Sequence, residues 1–471
     1  MTSFWGVELQ SAVAHASGPE VWRRQHSQIR SVHAFHDCRL KVGDTAGKNA
    51  CVTSGAFVQP AVRGLGRRSA PSLPNGLVRL HLPPGHPNAT KPAVLLNIIL
   101  GALTLLSFGV TLWQWLVAQR FPLHQRVAEG PCFRGFTLLK PLKGCDETTE
   151  ESLRSWLTQK CEAPIQILFG VASAEDPVCA RVRKLLLENP HLDAQLVVCG
   201  PLAGTNLKVS KLLQLERLAK YEILIVSDAD VRVPADFLAN VTTPLAREEI
   251  GLVNCFYRLA NPATLAMQWE AVAINADFWS QVLQSQSLKP LDFALGAVMA
   301  TRRKQLQKIG GFAGLADCLA DDYQLGKRIA QSGYQICLCP LVVECWSEPM
   351  GWRAVWKHQL RWARTIRVCQ PLPYFFSILS NATLWPLLWV ASTPANPELI
   401  LALGCWLARM GIAANLQRRL TREPVRFRYW GFVLLKDLLQ SAIWLLAFLG
   451  NRIEWRGEMM RLRSDGTLVR G

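Results

Sequence analysis

From Val94 to Ala118 the chain reads VLLNIILGALTLLSFGVTLWQWLVA, with no ionisable side chain. About twenty consecutive apolar residues cross the hydrocarbon core of a bilayer. A helix satisfies all its backbone donors and acceptors internally, so such a stretch reads as a transmembrane helix. Trp113 and Trp115 fall near its end, where an aromatic belt sits, and Arg120 and Arg126 follow. The positive-inside rule then puts the C-terminal side in the cytoplasm. Composition agrees: half of the 471 residues are hydrophobic and 17 are Trp, as in a membrane protein with a soluble domain. A net charge of +17 suits nucleic acid or an anionic membrane surface. No zinc-finger spacing, RNP-like run or basic recognition helix is present, so the membrane is the expected partner and nucleic acid is not. The 14 cysteines are scattered without metal-site spacing and read as reduced thiols of a cytosolic domain.

Residues 1–91 differ from the rest. They hold six of the nine His and much Gly, Pro, Ser and Arg, without sustained periodicity or a signal-peptide pattern. A disordered extension is the expectation, and such a stretch also fits residues upstream of the true start. From Phe136 to Cys345 short apolar runs alternate with helical stretches. Expected strands are Phe136–Leu139, Ile165–Val171, Gln195–Cys199, Ile223–Val226, Gly251–Tyr257 and Gln335–Leu338. Expected helices are Glu147–Gln159, Asp176–Glu188 and Leu207–Lys220. This alternation predicts a parallel α/β sheet with right-handed crossovers. The segment ATLAMQWEAVAINADFWSQVL reads equally as core packing or as a membrane-interface helix. After Trp362 three further apolar spans are expected, Leu372–Val390, Leu399–Leu416 and Trp430–Leu449. The second carries Arg409 and the third Lys436-Asp437, a pair able to neutralise itself. Simple alternation would send the basic tail outside, against the positive-inside rule, so the last span also fits a re-entrant or interfacial helix. The expected organisation is therefore an extension over 1–91, a transmembrane helix over 94–118, a soluble domain over 130–368, two or three spans over 372–449 and a basic tail over 450–471.

Five stretches carry chemistry. In YEILIVSDADVRV an apolar strand stops at Asp228-Ala-Asp230. Ligands of open α/β sheets collect beyond such strand ends. Two carboxylates there can hold a divalent cation and through it a diphosphate, or merely cap a turn. In KPLKGCD, Asp146 lies past the first strand, placed equally to accept from a nucleotide or to cap the next helix. In GTNLKVS, a Gly turn, backbone N–H groups and Lys208 make an anion site or a plain helix start. In LADDYQLGKR, Asp321 and Asp322 open a helix; Asp322 reads as a general base or as a dipole partner. In WKHQLRWARTIR, Arg361 can grip a pyrophosphate and Trp362 wall an acceptor, while the same helix suits contact with anionic lipid.

The order of these motifs resembles membrane-bound glycosyltransferases of the GT-A fold, and within them the ceramide glucosyltransferase family and its bacterial hopanoid-glycosylating relatives. The likeness rests on KPLKGCD, DADVRV, GTNLKVS, LGAVMATRRK, ADDY and RW, and runs from about Val94 to Leu449. It implies an α/β GT-A domain flanked by transmembrane helices, facing the cytoplasm of a bacterial inner membrane. It also implies that Asp146 contacts uridine, that Asp228 and Asp230 hold Mg2+ or Mn2+ and the diphosphate, and that Asp322 is the catalytic base. His358, Arg361 and Trp362 fall on the family's (Gln or Arg)-x-x-Arg-Trp signature, from which His358 departs. Lys208 joins them as a substrate-binding residue. The implied reaction is inverting transfer of a sugar, glucose first, from a UDP-sugar donor to a lipid acceptor, ceramide or hopanoid. N-acetylglucosamine transfer to a hopanoid is the alternative within the class. A non-catalytic membrane scaffold is the alternative outside it, disfavoured by the intact Asp228, Asp230 and Asp322.

Overall fold

The computed structural model describes residues 91–127, 133–201, 203–425, 429–455 and 458–470. The extension expected over 1–91 lies outside the described residues, Lys91 apart. The chain divides into units 1–82 and 83–471, and every described residue belongs to the second.

Helix α1 (Lys91–Arg120) leads into the sheet domain. There follow β1 (Phe136–Pro141), α2 (Thr149–Leu157), β2 (Ile165–Val171), α3 (Val178–Glu188), β3 (Asp193–Val198), α4 (Leu207–Leu218), β4 (Ile223–Ser227), β5 (Val231–Arg232) and α5 (Phe237–Thr242). After β6 (Ile250–Leu259), helices α6 (Leu265–Val272) and α7 (Trp279–Leu288) are joined by a π-helical turn, Ala273–Phe278. The domain closes with β7 (Val298–Arg302), α8 (Arg303–Lys308), α9 (Asp321–Gln331) and β8 (Gln335–Cys345).

Strand order is β3-β2-β1-β4-β7-β6-β8-β5. The first four strands are parallel, as the alternation of strands and helices requires. β1 and β4 are buried along their whole length, which is why they read as unbroken apolar runs. The expectation of an all-parallel sheet is corrected at β7, which runs antiparallel to both β4 and β6. Its sequence, VMATR, is too short and too mixed to announce a strand, and it forms because it fills the gap between β4 and β6. β6 and β8 also outrun their expected ends. β8 carries Pro340 at the point where its register against β6 shifts, a bulge that tolerates a residue without an N–H. One core layer, holding Leu139, Leu224, Phe256 and Trp279, lies on one face of the sheet; Phe136, Ile225, Val231 and Phe237 belong to the layer on the other.

The remaining helices are α1, the RW helix α10 (Trp352–Cys369), α11 (Pro371–Phe376), α12 (Leu384–Ser392), α13 (Asn396–Thr421) and α14 (Trp430–Phe448). Three of these, α1, α13 and α14, are long and apolar enough to cross a bilayer. The expected span Leu372–Val390 is not one helix: Pro371–Ser380 and Leu384–Ser392 meet at 54°. Asn381 stabilises the break by accepting from the N–H groups of Thr383 and Leu384. On α1 the buried positions are Leu100, Gly101, Thr104, Ser107, Thr111, Gln114 and Ala118, a stripe of mostly small residues at helical spacing. Most of its Leu and Ile side chains, Leu100 apart, face outward instead. That inverted amphipathy suits a helix whose solvent is lipid and whose neighbours are other helices.

The tail folds back. Strands β9 (Arg452–Trp455), β10 (Glu458–Leu462) and β11 (Leu468–Arg470) form a small antiparallel sheet. It bridges Thr467 to Cys318, and Leu468 donates its N–H to Asp317 at 2.8 Å. At the other end of α14, Val433 is buried in the core cluster that contains Phe256 and Leu338. Both ends of α14 are thus tied to the sheet domain, and the basic tail lies beside that domain.

Candidate active site

The carboxyl edge of β4 brings three sequence-distant motifs to one point. Lys208, in the first turn of α4, is nearly buried and places its Nζ 2.8 Å from Asp228 Oδ1 and 3.0 Å from Asp321 Oδ2. The helix start that aims it is secured by Asn206, whose side chain accepts from the N–H groups of Lys208 and Val209 and donates to the Cys318 carbonyl. Thr205 meets Asp317 in the same way, through backbone and hydroxyl. The GTNLK and LADD loops are therefore stitched together 112 residues apart in sequence. Burial opposes a charge on Lys208, but Asp228, Asp321 and Asp322 outweigh it and raise its ammonium above the ordinary range. The anion expected at Lys208 is in this structure a pair of the protein's own carboxylates.

Behind the turn, Lys140 of the KPLKG motif is fully buried. It donates to the Asp228 carbonyl at 2.6 Å and to Ser227 Oγ at 3.2 Å, and lies over the Trp156 ring. Burial pulls its pKa down to about 7, against the opposing pull of Asp230 and Asp228. Lys140 thus pins the D-x-D backbone. Asp230 is open to water at the cleft, yet protein crowds it; that crowding and the charge of Asp228 push its carboxyl up. A cation beside it would relieve both. Among the described residues no three His, Cys, Asp or Glu form a metal cage. Two carboxylates on one turn instead suit a hard cation that keeps its remaining positions for water and phosphate oxygens.

Asp322, half-buried, accepts the N–H of Tyr323 through Oδ1 at 2.8 Å. Burial, and then the neighbouring Asp321 charge, push its pKa up to about 6, against Lys208. Tyr323 in turn ties α9 to the end of α10, accepting from Gln370 and donating to the Cys369 carbonyl.

On α10, His358 and Trp362 pack together with ring centroids 4.6 Å apart, and Trp362 lies against Leu259, Ala271 and Ile274. His358 Nδ1 is 2.7 Å from Glu270 Oε1, which also accepts from Gln359. Glu270 is buried, and its second oxygen has no partner among the described residues. Arg361 lies one position before Trp362, half-buried. Tyr257 packs against the same small core cluster as Trp362, and its hydroxyl is held well above its usual pKa by burial, then by Cys345, with Asp322, Glu270 and Asp228 contributing.

Asp146 stands apart. Its Oδ1 accepts from Thr148 N–H, Thr148 hydroxyl and Thr149 hydroxyl, which makes it the lock on the entry to α2. A cavity of about 400 Å3 next to this loop is lined instead by Lys143, Ser173, Glu175, Asp176, Leu207 and Lys211, with Asp176 accepting from Gly144 N–H. Sequence reading passed over Asp176, Glu270 and Lys140. The first has a visible signal, an acidic turn directly after β2 like the one after β4. The second is a lone acid inside an apolar helix, which signals a buried partner.

A family model described as glycosyl transferase family 21 matches residues 99–468. Among curated relatives, this chain is similar to ceramide glucosyltransferase 3 of Caenorhabditis elegans, 23% identical over 364 residues, 74% of this chain and 77% of that protein. It is also similar to the β-monoglucosyldiacylglycerol synthase of Trichormus variabilis, 26% identical over 298 residues, 56% of this chain and 62% of that one. Among solved structures it is similar to the mannosyltransferase PcManGT from Pyrobaculum calidifontis in complex with GDP-Man and Mn2+. That pair is 22% identical with a TM-score of 0.45, covering 75% of this chain and 98% of that one.

Proposed function

The chain belongs to glycosyl transferase family 21, and from that premise we propose that it glycosylates a membrane lipid, taking glucose from UDP-glucose in a single inverting displacement. The observation that carries the reading is the gathering of Asp228, Asp321 and Asp322 around Lys208 at one strand edge, next to a helix that leads straight into the apolar segments. The names of the relatives, ceramide glucosyltransferase and β-monoglucosyldiacylglycerol synthase, support a lipid acceptor and glucose as the sugar.

In this reading the nucleoside enters the cavity lined by Lys143, Ser173 and Asp176, with Asp146 holding the loop beside it in shape. Asp228 and Asp230 would hold Mg2+ or Mn2+, which neutralises charge building on the departing diphosphate. Lys208, already cationic, is placed to share that task once substrate competes for it. Arg361 faces the donor's phosphates and Trp362 the acceptor, with His358 oriented by Glu270. The ionised Asp322 takes the proton of the acceptor hydroxyl. The acceptor's oxygen forms a bond to the sugar C1 as the bond from C1 to the phosphate oxygen breaks on the opposite face, UDP leaving with that electron pair. An α-linked donor thereby yields a β-glycoside. A lipid acceptor explains the membrane helices, because it never has to leave the bilayer.

The test is a transfer assay on membranes containing the full chain. UDP-glucose and UDP-N-acetylglucosamine are each offered with ceramide, diacylglycerol or a hopanoid, with and without EDTA. EDTA-sensitive glucosylation of ceramide or diacylglycerol is the expected result. Transfer of N-acetylglucosamine to a hopanoid would keep the chemistry and change the substrates. UDP binding without transfer in any combination would overturn the enzyme reading in favour of a scaffold.

A further inference from the structure

Away from the acidic cleft, a second cavity of about 480 Å3 opens where α1 and α13 end side by side. Its walls include Gln119, His124, Asn415 and three arginines, Arg418, Arg419 and Arg422. The two helices reach it with outward-facing apolar side chains, Leu112 and Leu116 on α1 and Leu403 and Leu407 on α13. Trp115 marks the same level, its indole N–H donated to Asn415 at 3.0 Å, as aromatic residues do at a membrane boundary.

The arginines divide into two kinds. Arg419 is built in: its Nη2 donates to the carbonyls of Ala118, Gln119 and Phe121, closing the C-terminal end of α1. Its Nε is buried with no acceptor among the described residues. Arg418 and Arg422 line the cavity without any ion pair among the described residues. The acid beside them, Glu423, is engaged by Arg258 at 2.5 Å. Two uncommitted guanidinium groups, Arg418 and Arg422, around one space make an anion site, and guanidinium geometry matches phosphate oxygens.

We propose that this cavity binds the phosphate headgroup of an anionic phospholipid, with the acyl chains running along the exposed apolar faces of α1 and α13. The proposal rests on the membrane reading of those two helices. Arg258 also pairs with Glu344 of β8, so the loop that bears Arg422 and Glu423 is wired to the β6–β8 pair of the sheet domain. A lipid seated here would set the height and tilt of that domain on the bilayer.

The test uses the full chain in micelles containing equimolar phosphatidylglycerol and phosphatidylcholine, with retained lipids counted by native mass spectrometry. The expected result is preferential retention of phosphatidylglycerol by about tenfold, lost when Arg418→Gln and Arg422→Gly are combined. Arg422 has a φ of 59°, so glycine removes the guanidinium while easing the backbone, and Arg422→Gly alone is the variant to use should the pair not fold. Equal retention of both lipids, or a preference unchanged in the variants, overturns the proposal. Displacement of phosphatidylglycerol by equimolar inorganic phosphate would make this a soluble-phosphate site and overturn the lipid assignment. Release of the chain from vesicles by alkaline carbonate would sink the membrane reading itself, whatever the lipid ratio.

Discussion

Asp322 has its Oδ2 turned toward Gly296, where an added Cβ would come within 2.6 Å of it. The backbone approaches that closely only because the residue is glycine. With a base of this kind, Asp322→Asn should lower kcat by about 10²- to 10⁴-fold while UDP binding, read by calorimetry, is retained. The pH dependence has a definite sign. In the proposed reaction Asp322 works ionised, and its pKa is raised to about 6, so kcat should be level above that pH and fall as pH drops through it. A profile that stays level to pH 5 would remove Asp322 from the role. Glu270 supplies a charged acceptor to His358, and such hydrogen bonds contribute about 1.5–3 kcal/mol. Glu270→Gln should therefore lower kcat/KM by about tenfold, with the change in the acceptor's KM; a change confined to the thermal midpoint would make the pair structural only. The positions of Asp228 and Asp230 after a strand and of Asp322 at a helix start were legible because acids directly after an apolar strand or at a helix start are conspicuous; their chemical roles belong to the proposal. Asp146 was equally conspicuous, and its Oδ1 accepts three hydrogen bonds from Thr148 and Thr149, the capping arrangement that was one of its two readings.

At the scale of elements, the site depends on how closely α9 can approach the segment before β7. Gly326 lies on the inner face of α9, and a Cβ there would fall 2.3 Å from Ala294 N and 2.5 Å from the Phe293 carbonyl carbon. Backbone cannot yield as a side chain can. Gly326→Ala should displace α9, destabilise the chain by about 1–3 kcal/mol or more, and reduce turnover together with the thermal midpoint. Full turnover in that variant would show that Asp322 tolerates a shifted helix. Most strands and helices were legible from alternation of period and polarity, Ile165–Val171 to the residue. β7 was not, because VMATR becomes a strand only through its two neighbours, β4 and β6. The helical segment after Asn261 was open between core and membrane interface. Met267, Trp269 and Trp279 are buried, and α7 also lies against α1, with Gln284 accepting from Gln114. It serves as the joint between sheet domain and membrane helix.

At the scale of the whole molecule, that joint is charged. Arg409 of α13 bridges Asp277 and Asp437 at 2.8 and 3.0 Å, and Lys436 contacts the same two carboxylates. Thr383, at the break between α11 and α12, donates to Asp437 at 2.6 Å. Lys436-Asp437 is thus not a self-contained pair but half of a neutral four-residue cluster, and its other acid comes from the sheet domain. Removing one member strands a buried charge, which costs about 3–5 kcal/mol. Arg409→Met should destabilise the protein by that amount, read as loss of monodisperse protein on heating, and Asp437→Asn added to it should restore part. A stable single variant would make the cluster incidental. By itself the sequence determined three of the four apolar stretches as long helices, the α/β domain and the strand-end acids, because each is written in local pattern: hydrophobic length, period and abrupt breaks of polarity. Tertiary structure alone decided that Lys208 joins Asp228 to Asp321, that Glu270 stands behind His358, that Asp277 answers Arg409 and that the tail returns to the sheet domain. Buried charges must be paired, but the pairing partner is set by which elements come into contact, and no local pattern carries that information.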